Sequence, residues 1–184
     1  MDQDTLSGPE SQVSTAEVEP LTRPALASLP DGGFIVVWAD KRQNERIRAQ
    51  RYGIDGQKNG PEFRANTVPG RILSSWPTLV PLSGGRFLLA WTQVNVDNPA
   101  AGTNIAARIF SPGAGPIGQP VQADTLTRGQ RFSLSAAVTA GPGGEIAFLT
   151  WTDDSSAGPD KSGRAIEGRA LPIHATGFSS GIAW

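Results

Sequence analysis

The sequence predicts an all-β protein, and three observations carry that prediction. The 184 residues include 22 glycines and 15 prolines, which interrupt helices and favour turns. Apolar runs of strand length recur between these turn residues, and the sequence has no helical period of 3.6 residues. Hydrophobic residues make up 38% of the chain, which is enough apolar surface for a folded core.

Composition excludes several classes of function. The formal net charge is -1, so no basic surface is expected for nucleic acid. With no cysteine and one histidine, neither a thiolate site nor a two-histidine zinc site can form within one chain. The sequence has no apolar run near the roughly 20 residues that a membrane span needs, so no membrane insertion is expected. The acidic segment Met1–Pro20 does not resemble a signal peptide.

One motif occurs three times in the chain. Three tryptophans, Trp38, Trp91 and Trp151, each end an apolar run that follows a Gly-Gly pair. A short segment precedes each run, and two more apolar segments follow it, so each repeat predicts four strands joined by turns. Residues 23–184 therefore form a single repeat domain, with repeats at about 23–70, 71–129 and 130–184. Residues 1–22 form an N-terminal segment that could supply a closing strand.

The second strand of each repeat is apolar on both of its faces. Val37, Ala90 and Thr150 lie one residue before the tryptophan, on the opposite face. A strand covered on both faces favours a β-propeller blade, which is pressed between two neighbours. We predict a β-propeller-like fold with three four-stranded blades per chain, completed to six blades by a homodimer. One alternative is a different homo-oligomer or a unit cut from a larger array of blades, and another is a threefold single-chain fold, either a β-trefoil or a β-prism.

The first repeat carries a resemblance to a known group of repeats. Its segment PALASLPDGGFIVVWADKR, at residues 24–42, resembles the blade-like repeats of large secreted bacterial RTX, haemolysin-type and adhesin-like proteins. This resemblance implies an extracellular or cell-surface protein. The RTX calcium-binding nonapeptide is absent from the sequence, so no cofactor is expected, and Ca²⁺ binding stays an open alternative.

The candidate site lies in the loops that follow the second strands, together with two tryptophans outside the repeated position. These loops vary most in length, are polar, and project from a rigid scaffold where binding usually evolves. A tryptophan face can stack on a sugar. No catalytic or metal-ligating residue is predicted. The predicted ligand-binding residues are Asp40, Arg42, Trp76, Gln93, Asp97, Asp153, Asp154 and Trp184.

These features predict a non-enzymatic binding module, either glycan-binding (lectin-like) or adhesive, with a glycan or cell-surface ligand. One alternative is a structural or protein-interaction module of a larger secreted protein. Another is a fragment of a sialidase-like or other hydrolase. Sialidase chemistry needs a tyrosine nucleophile, but the single tyrosine, Tyr52, occupies the same repeat position as Phe110 and Leu171 and is predicted to lie in the core.

Overall fold

The computed structural model describes residues 10–15, 23–40, 46–66, 72–125, 128–155 and 163–178, and these residues contain twelve β-strands. The first sheet comprises β1 (Ala25–Ser28), β2 (Phe34–Asp40), β3 (Arg46–Tyr52) and β4 (Phe63–Arg64). The second sheet comprises β5 (Ile72–Pro81), β6 (Phe87–Asn95), β7 (Thr103–Phe110) and β8 (Pro116–Gln122). The third sheet comprises β9 (Arg131–Gly141), β10 (Gly144–Asp153), β11 (Ala165–His174) and β12 (Gly177–Phe178).

Each sheet is an antiparallel meander whose strands pair in chain order. The all-β class and the three four-stranded units predicted from the repeats are therefore confirmed. In the first sheet, steric crowding explains the second glycine of the Gly-Gly pair before β2. A Cβ atom on Gly33 would lie 2.3 Å from the carbonyl oxygen of Tyr52, so only glycine fits there.

The first strands of the second and third sheets share an irregularity. Trp76 has φ 52° and Ser133 has φ 55°, and the pairing register shifts beside each of them. Such a β-bulge bends the strand and re-aims its side chains. The bulge recurs at the same place in two repeats, so it belongs to the shared architecture.

Two apolar cores lie between the three sheets and pack them together. In the first core, Ile35 and Val37 of β2 pack with Leu89 and Trp91 of β6. The other side of β6 faces the third sheet, so that the second core combines residues of the second and third sheets. In this second core, Leu88 and Ala90 of β6 pack with residues of β10, namely Ala147, Leu149 and Trp151. The second sheet is thus the middle layer of a stack.

The prediction that every second strand is covered on both faces holds for β6 and needs correction for β10. From Phe87 to Thr92 every residue of β6 is buried. In β10, Phe148 is 48% exposed and Thr150 is half-buried, because the third sheet ends the stack. The three strands have similar sequences, so the sequence predicts the same burial for each, but their burial differs because their positions in the stack differ.

Within the described residues, the structure has no helix long and apolar enough to cross a membrane. The N-terminal segment is described only at residues 10–15, where Thr15 donates hydrogen bonds to Glu62 from its backbone N–H (2.9 Å) and its hydroxyl (2.8 Å). The closing strand expected in this segment stays a prediction.

Candidate functional site

A buried ionic cluster joins the second and third sheets. Arg131, the first residue of β9, is 1% exposed. Its Nε lies 3.3 Å from Oδ2 of Asp124 and 2.9 Å from Oδ2 of Asp153. Its Nη1 donates to the backbone carbonyls of Thr103 (2.8 Å) and Gly129 (3.0 Å). Buried charges are tolerated when they are paired and hydrogen-bonded, and this arginine is paired with two carboxylates and hydrogen-bonded through Nη1, although its Nη2 has no hydrogen-bond partner among the described residues.

The strand ends place the two carboxylates around the arginine. Asp124 lies just beyond β8, and its Oδ1 accepts the backbone N–H of Ile105 at 2.9 Å. Asp153 ends β10, and its Oδ1 accepts the backbone N–H of Ser155 at 2.7 Å. Burial raises the pKa of Asp124, while the Ile105 N–H and the charge of Arg131 act in the opposite direction.

A cavity of about 450 Å³ opens beside this cluster, between the end of the second sheet and strands β10 and β11. Its lining includes Asp124 and Thr125, which follow the last strand of the second sheet, and Trp151 and Glu167 of the third sheet. Glu167 is the register partner of Trp151. Burial raises the pKa of Glu167, and the negative charge of Asp153 raises it further, although Arg131 opposes both effects. The cavity therefore combines an aromatic wall with a carboxyl group that holds its proton more tightly than usual.

Arg169 also lines the cavity and ties the two sheets together. Its Nη1 donates to the carbonyl oxygen of Ala123 at 2.9 Å. The same repeat position holds Gln50 in the first sheet and Arg108 in the second. Gln50 donates to the carbonyl oxygen of Gly60 (3.0 Å), and Arg108 donates to that of Gly118 (2.8 Å), so each bonds within its own repeat. This repeated polar position is therefore structural in the first two sheets, whereas in the third it reaches a neighbouring sheet at the cavity.

Of the predicted site residues, Asp153 belongs to the ionic cluster, and Asp154 lies next to it. Asp154 Oδ1 accepts the backbone N–H of Gln130 at 2.6 Å, which fastens the loop after β10 to the segment before β9. The prediction placed both residues in a solvated binding loop. Because Asp153 is 2% exposed and paired with Arg131, its carboxylate is a structural part of the junction.

Asp40 and Gln93 occupy the position of Asp153 in the other two repeats, but the structure keeps them apart. Asp40 is 4% exposed, with its Oδ2 3.8 Å from Nε of Arg48. Gln93 accepts the indole N–H of Trp91 at 2.9 Å. Each side chain serves its own sheet, so the three do not form a shared site.

The remaining predicted residues are also dispersed. Trp76 lies in the β5 bulge, with the guanidinium carbon of Arg23 4.4 Å from its ring centroid. Asp97 is exposed in the loop after β6. Arg42 and Trp184 lie outside the described residues. The six predicted residues that the structure describes therefore do not assemble into one ligand site.

The sequence prediction missed the cavity residues Asp124, Trp151 and Glu167, and it missed Arg131 of the adjacent ionic cluster. A signal was present, because Asp124-Thr125 repeats the position of Asn66-Thr67, and Arg131 is a charge beside an apolar strand. Within the described residues, the structure has no cluster of three histidine, cysteine, aspartate or glutamate residues that could hold a metal ion.

Comparisons with known proteins give a likeness in fold only. No family model matches the chain, and no curated protein matches it. Among solved structures, it is similar to the endo-arabinase from Bacteroides thetaiotaomicron VPI-5482, with a TM-score of 0.50 and 16% sequence identity. The match covers 91% of this chain and 63% of the endo-arabinase, so the chain spans less than two thirds of that protein's length.

This likeness corrects one prediction. The sequence was expected to encode a module that is not an enzyme, but the matched fold belongs to an endo-arabinase. The architecture is thus related to that of a carbohydrate-active enzyme, and a β-sheet repeat fold gives no reason to exclude catalysis.

Proposed function

We propose that the chain is a carbohydrate-active β-propeller unit of the glycoside hydrolase type, acting in the cavity between the second and third sheets. The observation that carries this proposal is the placement of Glu167, a carboxyl of raised pKa, beside Trp151 on the cavity wall. The fold likeness to an endo-arabinase supports the same class of function. Secretion, cell-surface location and membership of the RTX-like repeats stay predictions.

Glu167 is assigned the role of general acid. Glycoside hydrolysis commonly uses one carboxylic acid that protonates the leaving oxygen and a second carboxylate that activates water or attacks the sugar. The raised pKa keeps Glu167 protonated to higher pH than an exposed glutamate. Asp124 also lines the cavity, but its side chain is fully buried against Arg131 and burial raises its pKa, so no second catalytic carboxylate is assigned among the described residues.

The rest of the cavity suits a sugar. Trp151 offers part of an apolar ring, against which the carbon face of a sugar can pack. Thr125 and Arg169 line the same space and can hydrogen-bond to hydroxyl groups. An aromatic wall with a few polar groups is typical of ligand sites.

Replacing Glu167 tests the assignment. We expect Glu167→Gln to lower the release of reducing sugar from a polysaccharide panel, arabinan included, by about 100-fold or more. The variant Glu10→Gln, which makes the same change at an exposed residue that does not line the cavity, serves as the matched control and should retain activity. No release from any polysaccharide by the unaltered chain, or equal loss in both variants, would contradict the proposal.

The dependence of kcat/KM on pH is a second test of Glu167 as the general acid. Because a general acid must be protonated, kcat/KM should fall as pH rises through the raised pKa of Glu167. The Glu167→Gln variant should lose that limb of the profile. Sugar binding that is unaffected by Glu167→Gln, without any hydrolysis by either protein, would rule out the catalytic role.

A further inference from the structure

The stacking of the three sheets follows one rule, which needs two named surfaces. The tryptophan face is the side of a sheet that carries Trp38, Trp91 or Trp151, and the reverse face is the other side. The reverse face of the first sheet packs on the tryptophan face of the second, which contains Trp91. The reverse face of the second sheet packs in the same way on the face of the third that contains Trp151.

The reverse face of the third sheet lacks the cover that its equivalents have. Ile47 and Ile105 are 0% exposed, but Ile166, at the same repeat position, is 75% exposed. Leu88 in the middle sheet is 0% exposed, and its equivalent Phe148 is 48% exposed. These positions remain apolar although no sheet of the described chain covers them.

The tryptophan face of the first sheet shows the matching gap. Leu26 and Leu79 occupy the same repeat position and pair with equivalent residues of the second strand. Leu79 is 8% exposed because the first sheet covers it, whereas Leu26 is 69% exposed. Leu26 is thus at a core position of the repeat, but no neighbouring sheet of the described residues covers it.

These two faces hold three of the four large apolar side chains that are strongly exposed among the described residues: Leu26, Phe148 and Ile166, the fourth being Ile54. Apolar residues concentrated on two surfaces mark interaction sites. By the stacking rule, a reverse face fits a tryptophan face. One chain therefore carries both halves of the same joint at opposite ends of its stack.

We infer that a second copy of this chain covers both faces. The reverse face of each third sheet packs on the tryptophan face of the partner's first sheet, and a twofold axis relates the two joints. Two copies of three sheets make a ring of six, within the usual range of 4–8 blades for a propeller. The net charge of -1 offers little repulsion between copies. This inference does not depend on the proposed function.

Solution mass tests the ring directly. Light scattering on the eluting protein should give twice 19.3 kDa. Leu26→Lys and Phe148→Glu each place a charge on one half of the joint and should each shift the mass to 19.3 kDa. Ile54→Glu is the matched control, because Ile54 is 80% exposed in the turn after β3, away from both faces, and it should remain dimeric. Far-UV circular dichroism checks that the variants are folded.

Mixing the two face variants tests which surfaces meet. A heterodimer of Leu26→Lys with Phe148→Glu retains one unaltered joint, so the mixture should recover mass above that of either variant alone. A joint between two copies of the same face would leave one of the single variants dimeric, which would overturn the inference. An unaltered chain that stays monomeric from micromolar to millimolar concentration, or that forms species larger than a dimer, would overturn it as well.

Discussion

Side chains at equivalent repeat positions connect neighbouring sheets, through a hydrogen bond at one interface and an ion pair at the other. Between the first and second sheets, Asn66 Nδ2 donates to the Ser74 hydroxyl at 2.8 Å. Between the second and third sheets, Asp124 and Arg131 form an ion pair at the corresponding place. Asn66 Oδ1 accepts the N–H of Ile47 just as Asp124 Oδ1 accepts that of Ile105. The joint is therefore conserved in geometry and differs in charge.

This comparison predicts unequal costs of substitution. Arg131→Met leaves the carboxylates of Asp124 and Asp153 buried without their shared cation, and we expect a loss of about 3–5 kcal/mol in the free energy of unfolding. Asp124→Asn keeps Arg131 paired with Asp153 but turns an amide Nδ2 donor toward Nε of Arg131, so we expect a smaller loss of about 1–2 kcal/mol in the free energy of unfolding. Urea denaturation of both variants measures the difference. Similar losses in the two variants would show that the cation is not the essential member.

At the scale of elements, two connecting segments meet beside the ionic cluster. The loop between β6 and β7 contains Gly102, at φ 72°, and a Cβ atom there would lie 2.0 Å from the carbonyl oxygen of Gly129. The same carbonyl accepts the N–H of Thr103 at 2.9 Å. This close approach fixes the loop of the second sheet against the segment that leads into β9.

Gly102 should therefore tolerate no side chain. We expect Gly102→Ala to lower the free energy of unfolding by about 2 kcal/mol or more, since both the positive φ and the backbone contact oppose a methyl group. Gly113→Ala is the control, because its nearest neighbour, the Ser111 hydroxyl oxygen, lies 4.0 Å away and its φ is not positive. Thermal unfolding compares the two, and equal midpoints would contradict the assigned role of Gly102.

The strands themselves were predictable to different degrees. The second strands β2, β6 and β10 follow from the apolar runs that end in tryptophan, because a buried strand needs a continuous run. The fourth strands β4 and β12 contain two residues each, and such short pairing leaves no clear pattern in the sequence. The bulges at Trp76 and Ser133 were equally hidden, since neither residue type favours a positive φ.

For the whole molecule, the stack order decides which apolar residues contribute to stability. Leu79 and Leu26 share a repeat position but are 8% and 69% exposed. We expect Leu79→Ala to cost about 2–5 kcal/mol through the cavity it leaves. Leu26→Ala should cost the isolated monomer about 0.5 kcal/mol or less. Chemical denaturation at low protein concentration checks both values, and equal costs would show that the first sheet is covered on both sides.

The candidate site depends on this stacking more than on any loop. Asp153 was predicted from its place after a tryptophan strand and does lie in the ionic cluster. Glu167 gave no signal, because an isolated glutamate in a third strand looks like a solvated side chain. Its chemistry arises from Trp151 and Asp153 of β10 and from Arg131 of β9, so it depends on the pairing of three strands in the third sheet.

The amino-acid sequence by itself determined the all-β class, the threefold repetition and the four-strand unit, because these depend on local periodicity and turn residues. Tertiary structure alone decided which faces are covered, where carboxylates approach an arginine and where a cavity opens. The physical reason is that burial and charge coupling depend on distances between sheets. Three repeats with nearly the same pattern therefore acquire different environments at the start, the middle and the end of the stack.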